Sequence, residues 1–177
     1  METTHSLRKP AILLAVSAMF AAMVTVTTAY LFHIPIGSNG GYIHVGDAFI
    51  YLAAAFLPLP YAAAASAVGA ALADVLTGAA VYAIPTLIIK ALMVVPFTYK
   101  GSRVISRRNV LAVIISGILC TVGYLLVDGL LFGTWQVTWV TIWPGLVQSG
   151  GSAVVFLALG AALDKAGVKP RLTGGWE

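Results

Sequence analysis

Charge is scarce in this chain of 177 residues: Asp, Glu, Lys and Arg together make up 9% of it, where a soluble domain carries roughly a quarter. With 60% hydrophobic residues and a mean hydropathy of +0.96, a water-soluble design is excluded and a lipid solvent is indicated. Cys120 is the only cysteine, which rules out an intrachain disulfide and a cysteine-built metal site. HExxH, GxSxG and the GxxxxGK[ST] phosphate loop are missing, and no Cys–His pair has an evident partner. No catalytic residue is therefore assigned, the chain is not expected to be an enzyme, and it does not itself use ATP. His44 with Asp47 lacks a third ligand of obvious spacing, so no metal is expected either.

The basic residues are clustered rather than spread. Arg8 and Lys9 precede the first apolar run, Lys100, Arg103, Arg107 and Arg108 share one loop, and Lys165, Lys169 and Arg171 close the chain. Short basic loops mark the cytoplasmic side of a membrane protein, so the net charge of +4 is read as topology, not as nucleic-acid binding. The run after Lys9 continues to Phe32, long enough to span, and reads as a first helix rather than a cleaved leader. The expectation is an all-α integral membrane protein, one domain over 1–177, with six transmembrane helices and both termini cytoplasmic. The approximate helices are 11–32, 46–57, 61–76, 84–99, 110–132 and 144–163, bounded by Pro58 and Pro60, Pro85, Pro96 and Pro144. The second is short for a span and requires a protein-buried position. The third, rich in Ala, Gly and Ser, is expected to pack centrally.

Polar side chains collect toward the outer face. Asp47 opens the second helix there, Asp74 closes the third, Asp128 lies near the outer end of the fifth and Gln148 near the start of the sixth. Outer loops add Asn39, Tyr42, His44, Tyr82, Trp135, Trp139 and Trp143. Ionisable residues within apolar segments are functional hypotheses by default, and apolar walls with a few placed polar groups are the make-up of a small-molecule site. The aromatic residues equally suit an interfacial belt. Tyr124 and Asp128 share a helix face, as do Gln148 and Ser152. Lys90, deeper in the membrane, requires an acidic partner, with Asp74 or Asp128 expected; structural pairing and ligand contact are both open for it. Asp47 is alternatively a cap of the second helix. On the first helix Ala11, Ala15, Ala18 and Ala22 line one face, where small residues let another helix approach closely; packing within the chain and docking of a separate membrane partner both fit.

Three stretches, Gly41–Ala48, Ala71–Gly78 and Pro85–Met93, together with Gly123–Gly129 and Pro144–Gln148, resemble the substrate-binding S components of energy-coupling factor (ECF) transporters. The likeness is to the broad riboflavin, pyrimidine and pyridoxine group and covers almost the whole chain. It implies a six-helix subunit of a bacterial-type cytoplasmic membrane that binds a vitamin or related small heterocycle from outside. It further implies partners, a membrane coupling subunit and two cytoplasmic ATPases, with ATP used by those partners only and no cofactor on this chain. Toppling in the membrane would release the cargo, the His33–His44 loop would gate the site, and the four alanines match the family's docking face. The substrate-binding set expected is Asn39, Tyr42, His44, Asp47, Tyr82, Lys90, Tyr124, Asp128, Trp135 and Gln148. Gly145 stands where the group often has Asn and Asp128 where it often has Glu, so the cargo is not carried over. Two other classes remain: a solitary ion-coupled secondary transporter, and a membrane enzyme using Asp47, Asp74 and Asp128.

Overall fold

The computed structural model of the chain describes residues 3–31, 33–36, 41–133, 135 and 138–173. It is mostly helical. In chain order it contains α1 (Thr3–Ala29), β1 (Ile34–Ile36), β2 (Gly41–Ile43), α2 (Asp47–Phe56), α3 (Leu59–Leu76), a 3₁₀ turn (Ala80–Tyr82), α4 (Ala83–Met93), α5 (Arg107–Phe132), α6 (Thr138–Lys165) and α7 (Val168–Thr173). Among the described residues, four helices are long and apolar enough to cross a membrane: α1 from Pro10, α3, α5, and α6 from Ile142. Asp47–Phe56 and Ala80–Met93 are shorter apolar helices between them.

The long helices are apolar on every side, which is the pattern of a membrane span rather than of an amphipathic surface helix. On α1, Leu13, Ser17, Phe20, Val24 and Thr28 recur at three- and four-residue steps and are buried, while Ile12, Leu14, Met19, Met23 and Val26 are exposed. Ala11, Ala15, Ala18 and Ala22 also lie on the exposed side. The inward side of α1 packs closely on α3. A Cβ at Gly69 would stand 2.6 Å from the Ala21 carbonyl oxygen, and the Thr25 hydroxyl bridges the Ala21 and Gly69 carbonyls at 2.9 and 2.8 Å. Small residues thus join these two helices backbone to backbone.

The centre of the bundle is α2, not α3. Nine of its ten residues are buried, whereas exposed Val68, Leu72, Val75 and Leu76 leave one side of α3 uncovered. A ten-residue helix is about 15 Å long, half of a bilayer's hydrocarbon thickness of about 30 Å. Its position inside protein removes the need to span on its own. Midway along it Tyr51 stacks on Phe97 at 5.5 Å and meets Phe156 edge-on at 5.9 Å. Such pairs contribute about 0.5–1.5 kcal/mol each beyond burial.

Several boundaries differ from expectation. α4 stops at Met93 instead of continuing to Tyr99, because Pro96 offers no N–H to the preceding turn and its ring opposes a helical residue before it. The chain beyond is held by Asn109, which accepts from the Thr98 N–H at 2.9 Å and donates to the Thr98 and Val104 carbonyls at 3.1 and 2.9 Å. α5 starts at Arg107, capped by the Ser106 hydroxyl accepting from the Asn109 N–H, and ends on Gly133 in the left-handed region at φ 62°. α6 begins at Thr138 and runs through Pro144, which was expected to open it. α1 ends at Ala29, before Phe32. The loop after it contains a two-stranded antiparallel hairpin pairing Ile34 with Ile43, Pro35 with Tyr42 and Ile36 with Gly41.

At the opposite end of the bundle, the Asp164 carboxylate accepts from the Val104 and Ile105 N–H groups at 2.6 and 2.9 Å. Lys169 donates to the Arg103 carbonyl at 3.0 Å. These bonds fix the basic loop to the end of α6 and to α7.

Candidate functional site

α4 and α5 run antiparallel, and their polar residues face each other at four-residue steps. The Tyr82 hydroxyl, just before α4, donates to Asp128 at 2.8 Å. The Thr86 and Tyr124 hydroxyls are bonded at 2.9 Å, and Lys90 donates to the Cys120 sulfur at 3.4 Å. Each step of four residues advances about 6 Å along a helix, so the three rungs reach about 12 Å into the bundle. Residues four apart share a face, which is why 86 and 90 on one helix and 120, 124 and 128 on the other line a single seam.

At the deep end the seam meets α2 and α6. Lys90 forms an ion pair with Asp47 at 2.6 Å, the two side chains 1% and 0% exposed. The second Asp47 oxygen accepts from the Gln148 amide at 2.9 Å and from the Cys120 thiol at 3.7 Å. Lys90 also lies 5.3 Å from the centroid of the Tyr124 ring. Asp47 occupies the first turn of α2 and Lys90 the last turn of α4, where the helix dipoles favour a negative and a positive charge respectively. Both Asp47 oxygens are thus engaged, and a buried charge pair of this kind stands only because its remaining bonds are made.

At the other end of the seam the hairpin closes against α3. The Tyr42 hydroxyl donates to one Asp74 oxygen at 2.5 Å. Burial and the Asp74 carboxylate hold the Tyr42 phenol well above its usual range, so it remains a hydrogen-bond donor. His33 and His44 both pack near the Tyr42 ring, with centroids 4.2 and 5.5 Å away. His44 is buried and its Nδ1 accepts from the Gly46 N–H at 3.0 Å. Burial pushes its imidazole down to about 4. Gly46 has no room for a side chain: a Cβ there would fall 2.0 Å from the Thr28 hydroxyl oxygen.

The residues expected from sequence are thus largely gathered into one seam, with corrections. The partner of Lys90 is Asp47, since Asp74 is bonded to Tyr42 and Asp128 to Tyr82. Asp47 does not cap α2; Gly46 holds the cap position, without a side-chain bond, and the carboxylate turns inward to Lys90 and Gln148. His44 is turned onto its own loop. Trp135 is half exposed, with its ring against Gly129, where a Cβ would meet it at 2.6 Å. Asn39 lies outside the described residues, as does the Trp139 side chain. Sequence reasoning passed over Thr86 and Cys120. Their signal was present as four-residue spacing, Thr86 to Lys90 and Cys120 to Tyr124. Among the described residues no group of three or more His, Cys, Asp or Glu side chains is placed to hold a metal ion.

The family model described as "ECF-type riboflavin transporter, S component" matches residues 11–165, a stretch that contains every member of the seam and all four α1 alanines. An "uncharacterized protein in gap 3'region" of Pyrococcus woesei is 33% identical over 144 residues, 80% of this chain and 95% of that protein.

Proposed function

The chain belongs to the family of ECF-type riboflavin transporter S components, and we propose that it captures a vitamin or related small heterocycle from outside and delivers it inward when docked to partner subunits. Members of this family are membrane-embedded, vitamin-binding transport subunits that work with a membrane coupling and ATPase module; they are not enzymes. The observation that carries the proposal is the family match across residues 11–165.

In this reading six helices cross the cytoplasmic membrane. The basic loop and both termini face the cytoplasm; α2 completes its crossing inside protein, and α4 crosses with its apolar side, Ile84, Ile88 and Leu92, toward lipid. The cargo enters from the hairpin side. Tyr42, Tyr82, Tyr124, Asp128 and Trp135 contact it, and the Asp47–Lys90–Gln148 cluster forms the floor. Asn39 and His44 belong to the gating loop. The exposed small-residue side of α1, Ala11, Ala15, Ala18 and Ala22, receives the coupling subunit. Toppling of the docked subunit releases the cargo, and ATP is used only by the two ATPases. The chain carries no cofactor of its own.

Replacing Ala15 or Ala18 by Trp tests this. Uptake by cells should be lost while the purified variants bind ligand as the unmodified protein does. Normal uptake by both variants would sink the docking assignment. Uptake that survives deletion of the ATPases would instead establish a solitary, ion-coupled transporter.

A further inference from the structure

The carboxylates around the seam differ in how fully their oxygens are used. Asp47 has both engaged, by Lys90 on one side and by Gln148 and Cys120 on the other. Asp128 accepts from Tyr82. Asp74 is 5% exposed, and its Oδ1 accepts from Tyr42. Its Oδ2 is buried and has no hydrogen-bond partner among the described residues. The Thr86 hydroxyl lies near this carboxylate and shares a 2.9 Å hydrogen bond with the Tyr124 hydroxyl, in which either group can be the donor. A buried carboxylate oxygen without a donor is a costly arrangement in a folded chain. Here it stands at the end of α3 beside the hairpin, in electrostatic range of Tyr82 and Tyr124, whose rings are 6.2 Å apart.

We propose that Asp74 is the specificity-determining acceptor of the site, and that its free oxygen selects uncharged or cationic heterocycles presenting an N–H donor over ligands bearing a carboxylate. This rests on the reading of the chain as a vitamin-capturing subunit. The chemistry is one-sided. An N–H of a ring imide, an exocyclic amine or a pyridinium completes the empty acceptor by a charge-assisted bond. A cationic ring is also received by the tyrosine faces. A ligand carboxylate would meet a like charge at Asp74, and Lys90, the cation of the seam, is already matched by Asp47.

The test uses the full chain purified in detergent and titrated calorimetrically with two groups of compounds. Riboflavin, thiamine, pyridoxine and uracil present donors without a carboxylate; biotin, pantothenate and nicotinate carry one. The ligand should come from the first group. Asp74→Asn, which keeps the shape and an acceptor for Tyr42 but turns the free oxygen into an N–H donor, should weaken it by about 10- to 100-fold, the range for a hydrogen bond to a charged group. Tight binding of a carboxylate compound overturns the inference and leaves the transport reading intact, as does undiminished binding by Asp74→Asn. The comparison of the two groups needs no variant, so a carboxylate-bearing ligand overturns the inference even if Asp74→Asn fails to fold. Failure of every compound to bind the unmodified chain would overturn vitamin capture and this inference together.

Discussion

Breaking the Asp47–Lys90 pair one side at a time, and then on both sides, separates a structural floor from an independent ligand contact. Lys90→Met leaves the Asp47 carboxylate, 0% exposed, with the Gln148 amide and the Cys120 thiol as its side-chain donors among the described residues. Removing one partner of a buried ion pair destabilises by about 3–5 kcal/mol, because the other charge stays behind uncompensated. Asp47→Leu does the same in reverse, stranding Lys90 between the Cys120 sulfur and the Tyr124 ring. The double variant Asp47→Leu, Lys90→Met removes both charges and fills their space with apolar volume. Its stability should lie within about 2 kcal/mol of the unmodified protein, or above it. The singles together would therefore lose several kcal/mol more than the double, a large coupling energy for a contacting pair. Equilibrium unfolding in mixed detergent micelles, followed by intrinsic fluorescence, reads all four proteins. Additive losses, with the double variant the least stable, would refute the reasoning. Ligand titration of a folded double variant should then retain most of the affinity, since both Asp47 oxygens are occupied by protein donors.

Three further outcomes are expected. Gly46→Ala places a methyl 2.0 Å from the Thr28 hydroxyl oxygen and should cost about 1–3 kcal/mol as overpacking; adding Thr28→Ala should recover much of the loss in thermal midpoint. Asp164→Asn sets an amide donor against the Val104 or Ile105 N–H, should cost about 1–3 kcal/mol, and should speed hydrogen exchange at those two amides. Burial holds His44 down at about 4, with Lys90 and His33 acting in the same direction against Asp47. The unfolded chain therefore takes up a proton between about pH 6.5 and 4 that the native chain does not. Stability should be full above about pH 6.5 and fall by up to about 3 kcal/mol as pH drops toward 4, a slope that His44→Asn should flatten.

The sequence carried the apolar helices plainly, because a lipid solvent demands long uninterrupted runs and prolines mark their limits. Boundaries slipped where proline has two readings. Pro96 ends α4 several residues upstream, while Pro144 is tolerated inside α6 although it was read as a start. The central position of α2 was hidden for a different reason. Ala-rich α3 has the composition of a packed helix, but burial belongs to the element with neighbours on all sides, and composition does not count neighbours. Partner choice was equally hidden. Asp47, Asp74 and Asp128 are chemically alike, and only the antiparallel register of α4 and α5 sends Lys90 to Cys120 and Asp47 while Tyr82 meets Asp128. That register was partly legible: polar residues at 86 and 90, and at 120, 124 and 128, are one turn apart on each helix, and two such rows on adjacent helices face each other.

The fold and the site are linked through the shortness of α2. A charged pair in the middle of a bilayer is tolerated only away from lipid, and a helix that begins partway into the bundle brings its own N-terminus, with unpaired N–H groups and a positive dipole end, to that depth. Asp47 is the residue that terminus favours, and Lys90 meets it from the last turn of α4, where the opposite dipole end favours a cation. The pair therefore needs no ligand to complete it, and it fixes α2, α4, α5 and α6 relative to one another through Lys90, Cys120 and Gln148. The outer contacts are of another kind. Tyr42 to Asp74 and Tyr82 to Asp128 are single hydroxyl bonds between a hairpin or a turn and the helix ends, and a ligand donor can replace or extend them without breaking an ion pair. A rigid floor beneath exchangeable outer bonds suits the proposed capture: the floor keeps the bundle one body, and selection falls to the Asp74 oxygen that has no donor among the described residues.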